Sequence, residues 1–166
     1  MRTRSSPYAI SIGVGMAAAW VAGSAGAAPT DACALLSQAQ MSAALGVPMG
    51  AGTYVTPGFL KTCTWQPASG ATPAIKAFTL YLQSAASFDG GKNMLQLAQT
   101  GGAANGVTRL SGVGDDAYYA SFGPNITSLL VKKGDGGFKL TLYGATAPDK
   151  VKAIEKALAS QVLAGF

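Results

Sequence analysis

Histidine is missing altogether from this 166-residue chain, and that absence removes more chemistry than any residue present suggests. The usual general base near neutral pH goes with it, as do the Ser-His-Asp arrangement and every histidine-based metal centre. Charge is scarce as well: seven acidic and twelve basic side chains supply only 11% of the sequence, so any catalysis must rest on Asp, Glu, Lys or Tyr. The lysines are scattered, with only Lys132 and Lys133 adjacent, which argues against a nucleic-acid partner. Gly112-x-Gly114 and Gly134-x-Gly136-Gly137 lack the following helix with a Lys-Ser/Thr signature that a phosphate loop needs. They read as strand turns, and no cofactor is expected.

The first 27 residues have the form of an export signal. Arg2 and Arg4 are followed by an apolar run from Ala9 to Ala22 and by Ala25-Gly26-Ala27, small residues of the kind a signal peptidase reads. Cleavage is expected after Ala27, leaving residues 28–166 as a single domain that is periplasmic or secreted. The apolar run is shorter than the ~20 residues of a spanning helix, and no later run reaches that length, so no stable membrane insertion is expected after cleavage. Thr30-Asp31-Ala32 before Cys33 places a charge where a lipoprotein signal wants a small or apolar residue, which favours soluble export over a lipid anchor. Removal of the two arginines takes the formal charge from +5 to +3.

Cys33 and Cys63 are the only cysteines, and export puts them in an oxidising compartment. One disulfide is the simplest reading, closing a loop whose chain-entropy contribution is roughly 3 to 4 kcal/mol. A redox or metal-binding pair is disfavoured by the spacing and by the want of histidine.

The clearest element is a β-hairpin over Ser128–Gly144. Leu129 and Val131 alternate with Leu130 and Lys132, and Phe138, Leu140 and Leu142 alternate with Lys139, Thr141 and Tyr143, around a Lys133–Gly137 link. Upstream, Thr30 or Asp31 is expected to cap a helix running through Cys33, Leu35, Leu36, Ala39, Met41 and Leu45, stopped by Gly46 and Pro48. Strands are expected near Tyr54-Val55, over Thr62–Gln66, over Ala77–Gln83, over Val107–Leu110 and over Ala117–Ala120, with Ala68–Pro73 a turn. A second helix is expected over Phe88–Gln99 with Met94, Leu95, Leu97 and Ala98 as its apolar side. In the last helix Val151, Ile154, Leu158 and Val162 form a stripe, with Lys152, Glu155 and Lys156 on the wetter side. The order makes an α+β fold, a largely antiparallel sheet flanked by about three helices. Its halves, each a helix followed by strands, read as a diverged duplication of no fixed period.

Candidate functional residues are few. Asp115 and Asp116 are the only adjacent acids and could serve an acid role if one were buried beside the other, although neighbours on a strand face opposite ways. The alternative is turn and backbone hydrogen bonding at a strand entrance. Two acids are a poor ligand set for calcium, and no metal site is expected. Trp65, Tyr54, Tyr81, Tyr118, Tyr119 and Tyr143 are candidates for an aromatic binding face or for core.

Three segments, Asp31-Ala32-Cys33-Ala34-Leu35-Leu36 with Ala43–Gly46, Cys63-Thr64-Trp65, and Gly112–Tyr119, together resemble a group of uncharacterised bacterial exported and lipid-anchored envelope proteins. That group carries Cys-x-Leu-Leu, Cys-x-Trp and Gly-x-Gly-Asp-x-Ala motifs. The resemblance implies a helix-flanked antiparallel sheet similar to PsbP-like or tandem helix-plus-sheet inhibitor folds, and a Cys33–Cys63 bridge, but no catalytic residues. The resulting expectation is a non-enzymatic envelope accessory protein binding a protein or a small apolar ligand. The alternatives are an envelope hydrolase or lyase using Asp115 or Asp116, and an inhibitor of a secreted enzyme acting through the Lys133–Gly137 loop.

Overall fold

The computed structural model describes residues 27–69, 74–102, 106–122 and 126–166. The expected export signal, apart from Ala27, lies outside the described residues, as do residues 70–73 of the expected Ala68–Pro73 turn. The chain runs α1 (Gln38–Leu45), β1 (Thr53–Tyr54), β2 (Thr62–Trp65), β3 (Ile75–Ser84), α2 (Ala85–Thr100), β4 (Val107–Leu110), β5 (Asp116–Ser121), β6 (Thr127–Lys133), β7 (Gly136–Gly144) and α3 (Pro148–Leu163). The seven strands form one antiparallel sheet in the order β1-β2-β3-β7-β6-β5-β4. This is the α+β architecture expected from the alternation patterns.

The hairpin forms as its period-2 pattern requires, but its link is tighter than expected. Lys133 pairs with Gly136, so only Gly134-Asp135 lies between the strands, and Gly134 takes φ +55° to make the turn. Leu129, Val131, Phe138, Leu140 and Leu142 enter the main core. Phe78, Leu80 and Leu82 of β3 join them from the neighbouring strand. α1 and α3 cover this face. Pro148 at the start of α3 and Asp149 in its first turn suit the unpaired N–H groups and the positive end of the helix dipole.

α1 begins later than expected. Ser37, not Thr30 or Asp31, is the cap: its hydroxyl accepts from the Gln40 N–H while the Gln40 side chain accepts from the Ser37 N–H. Cys33–Leu36 precede the helix as turns and bends. Asp31 instead accepts from the Cys33 N–H at 2.9 Å and from the Tyr54 hydroxyl at 3.0 Å, tying the leading segment to β1.

α2 lies on the opposite face, so the two halves place their helices on opposite sides of the sheet. Its apolar side also differs from expectation. Met94 and Leu97 are each 73% exposed, while Phe88 is fully buried against Tyr118, Ala120 and Leu130, with Leu95 and Val107 beside it. Phe88 and Leu95 stand two helical turns apart, and that phase, not the density of apolar residues further along, sets which side faces inward.

Cys33 and Cys63 form the disulfide, with Cα atoms 5.0 Å apart. The bridge ties the segment before α1 to the middle of β2. Replacing both cysteines with serine is expected to lower stability by about 3 kcal/mol, read as a lower urea midpoint with a somewhat steeper slope, since the unfolded chain without the cross-link expands further. Equal midpoints for the two proteins would show that the bridge adds nothing.

Candidate functional site

The structure scatters the candidate residues among different settings. Trp65 is fully buried, packing against Phe78 with ring centroids 6.3 Å apart, and it belongs to the main core. Tyr118 is fully buried on the other face under α2, 5.1 Å from the Phe88 ring. Tyr143 stands 39% exposed on β7. The aromatics therefore do not converge on one face.

Asp115 and Asp116 diverge as strand geometry demands. Asp115 accepts from the Gly134 N–H at 2.7 Å and from Lys133 Nζ at 3.1 Å, clasping the hairpin turn from outside. The Gly134 N–H, then Lys133, hold its carboxyl below the usual carboxylate range. A carboxylate kept ionised in that way is suited to bracing a turn and not to donating a proton. Asp116 points under α2 and pairs with Lys92 at 2.5 Å, while Lys132 pairs with Asp89 at 3.0 Å beside it. Gly114 sets this geometry. It turns with φ +59°, and a Cβ there would lie 2.5 Å from the Lys132 carbonyl, so the loop can lie against β6 and pass the Asp115 N–H to that carbonyl.

Below this charged row lies the Tyr118 hydroxyl, which is buried and has no hydrogen-bond partner among the described residues. Burial, with Asp116 and Asp89 adding to it, pushes that phenol up to about 12. Tyr118 remains neutral throughout the physiological range, as an aromatic pillar between the sheet and α2.

A buried carboxyl that pattern reading placed in water is Glu155. It is fully buried on α3, where its Oε1 accepts from the Leu142 N–H at 3.3 Å and its Oε2 has no partner among the described residues. Burial raises its pKa from 4.5 to about 9, so the carboxyl is protonated near neutral pH. The signal lay in the helical phase: Val151, Glu155, Leu158 and Val162 fall on one stripe, with Glu155 in the middle of it. The Tyr119 hydroxyl donates to the Lys152 carbonyl at 2.8 Å nearby, closing this part of the interface between α3 and the sheet.

The surface feature that stands out is the loop between β1 and β2. Tyr54, Val55, Phe59 and Leu60 are 38%, 62%, 43% and 42% exposed within a seven-residue stretch. The loop turns at Thr56-Pro57-Gly58-Phe59, where the Phe59 N–H donates to the Thr56 carbonyl at 3.0 Å and Gly58 takes φ +78°. Pro followed by a positive-φ Gly is the pattern of a type II turn. Both ends are anchored: Tyr54 pairs with Cys63 and bonds Asp31, and the Leu60 carbonyl accepts from the Ala32 N–H at 2.8 Å, next to the disulfide. Four large apolar side chains are thus held out to solvent on a braced backbone.

Among the described residues no group of three or more Cys, Asp or Glu could hold a metal ion, and no helix is long and apolar enough to cross a membrane. No protein-family model, curated protein or solved structure matches the chain.

Proposed function

We propose that this chain is an exported, non-enzymatic accessory protein of the cell envelope that binds a partner protein through the Tyr54–Leu60 loop. The observation that carries the reading is the exposure of four large apolar side chains on a stretch hydrogen-bonded at both ends, Tyr54 to Asp31 and Leu60 to Ala32. Solvating such a cluster is unfavourable, burying it against a partner removes that cost, and a braced backbone lowers the entropy lost on binding. A convex loop suits a protein partner better than a small apolar ligand, which needs enclosure. The open depression of about 420 Å³ on α2 is lined by Asn93, Gln96, Leu97 and Thr100 of that helix alone and would leave such a ligand in water. The disulfide agrees with an oxidising compartment and hence with the export signal.

A photo-cross-linker placed at Thr56, exposed at the tip of this loop, is expected to give one discrete adduct in cells. The Val55→Asp/Phe59→Asp double variant should abolish it while the protein still melts cooperatively as a folded domain, because neither side chain belongs to the buried core. No adduct at Thr56, or an adduct indifferent to the double variant, would overturn the reading.

The hydrolase or lyase alternative depends on Asp115 or Asp116, both of which are engaged with lysines. An activity that survives in both Asp115→Asn and Asp116→Asn would remove it. The inhibitor alternative fits the Tyr54–Leu60 loop better than Lys133–Gly137, whose two-residue turn is clasped by Asp115.

A further inference from the structure

α2 turns Phe88 and Leu95 to the sheet, and the same phase turns its other side outward. On that outer side, at helical spacing, stand Ala86, Gly90, Asn93, Met94 and Leu97, all exposed, with Met94 and Leu97 each 73% open to water. The strip carries no charge: Lys92 reaches inward to Asp116, and Asp89 lies at its flank, paired with Lys132. Gly90 is the odd member. It sits inside the helix without a positive φ, and a Cβ there would meet no neighbour within 4 Å. Among the described residues, then, no turn or close contact calls for a residue that weakens a helix at this position.

The strip is complementary to itself. Laid antiparallel on its own copy, with a two-fold axis passing between Asn93 and Met94, it brings Leu97 of each copy over the hollow that Ala86, Gly90 and Asn93 leave in the other. The missing side chain of Gly90 is what opens that hollow. Beside the axis Met94 meets its own copy, thioether against thioether, and Asn93 meets its own copy, each carboxamide carrying both a donor and an acceptor for the other. No like charges are brought together. A membrane surface would call for basic residues along the flanks of the helix, whereas the one lysine of α2 is turned to the sheet. We propose that α2 is a dimerisation helix, pairing antiparallel with α2 of a second copy of this chain. One helix width along sixteen residues buries less than the standard interface of about 1,600 Å², so the dimer is weak and depends on concentration. The Tyr54–Leu60 loop leaves from β1, at the far edge of the sheet from the β5–β6 seat of Phe88, so the dimer displays two such loops and stands whether or not they bind a partner.

Sedimentation equilibrium of the purified protein, over a concentration series reaching the millimolar range, should fit a monomer–dimer equilibrium. Gly90→Leu fills the hollow and Leu97→Asp removes what enters it, and each should weaken the dimer at least about tenfold. Gly90→Leu should melt no lower than the parent, because its side chain has open space in the monomer. The Val55→Asp/Phe59→Asp variant should dimerise like the parent. Should a variant of α2 fail to fold, Asn93→Cys decides the matter: under mild oxidation it should link to its own copy across the axis, while Lys150→Cys, exposed on α3, should not. A monomer at every concentration overturns the proposal, as does association that grows beyond two copies. A dimer indifferent to Gly90→Leu and Leu97→Asp, or one lost in Val55→Asp/Phe59→Asp, places the contact elsewhere and overturns it too.

Discussion

Truncating Trp65 to alanine should destabilise the protein by about 3–5 kcal/mol, the range for removing a fully buried large aromatic from a core that relaxes only in part. Trp65 has no exposed surface and lies against Phe78. The backbone also closes in on it: a Cβ at Gly52 would come within 2.8 Å of the indole and 2.7 Å of Cys63 Sγ. That crowding means the loop before β1 is fitted to the indole and has little room to collapse into the space left behind. For a domain of this size the change corresponds to a fall in Tm of roughly 10 °C or more. A variant melting within a few degrees of the parent would show that Trp65 is not the centre of this packing.

The second large effect is a pH dependence that resides in one side chain. Glu155 keeps its proton in the folded protein up to about 9, whereas the unfolded chain releases it near 4.5. Between those values the folded state binds more protons than the unfolded state, so stability falls as pH rises, by about 1.4 kcal/mol per pH unit where the difference is a full proton. Below pH 4.5 the carboxyl is protonated in both states and costs nothing in this respect; at pH 7 the accumulated cost is about 3 kcal/mol. Glu155→Gln keeps an acceptor for the Leu142 N–H and cannot ionise. Its stability is expected to match the parent near pH 4 and to exceed it by about 3 kcal/mol at pH 7. Chemical denaturation at a series of pH values would show the two curves diverging. Parallel curves would mean that Glu155 ionises in the folded state much as it does in water.

The hairpin, β2, β3 and the hydrophobic stripe of α3 are legible in the chain because their apolar residues recur with the period of the element they form. The opposite facing of Tyr118 and Tyr119 follows from the same rule: Tyr118 joins Phe88, and Tyr119 joins the main core. What pattern reading missed lies where a second signal competes. Asp31 resembles a helix cap, but Ser37 with Gln40 makes a reciprocal cap that Asp31 cannot, and Asp31 is drawn to Tyr54 across the fold. Met94 and Leu97 outnumber Phe88 in α2 yet face away, since a single large aromatic seated on the sheet fixes the rotation of the helix. The charge of Glu155 points to the surface, whereas its helical phase points inward, and the phase decides. The outward display of Tyr54, Val55, Phe59 and Leu60 has no periodic signature, because a Pro-Gly turn can direct apolar side chains either way and only the bonds to Asp31 and Ala32 decide.

The sheet order has a kinetic consequence. Strands β4 to β7 form a continuous meander, each pairing with its neighbour in the chain, and β1 to β3 form another. The two meet only where β3 pairs with β7, through residues roughly 50 to 70 positions apart. Closing a loop of that length costs entropy before any contact repays it, so the C-terminal meander can assemble early and the N-terminal one must be recruited to it. Until that recruitment β7 presents a naked edge of nine residues, apolar on its inner side, which is the kind of strand that pairs with a neighbouring chain. Aggregation during folding should therefore begin at β7, and its rate should track how long the β3–β7 seam stays open.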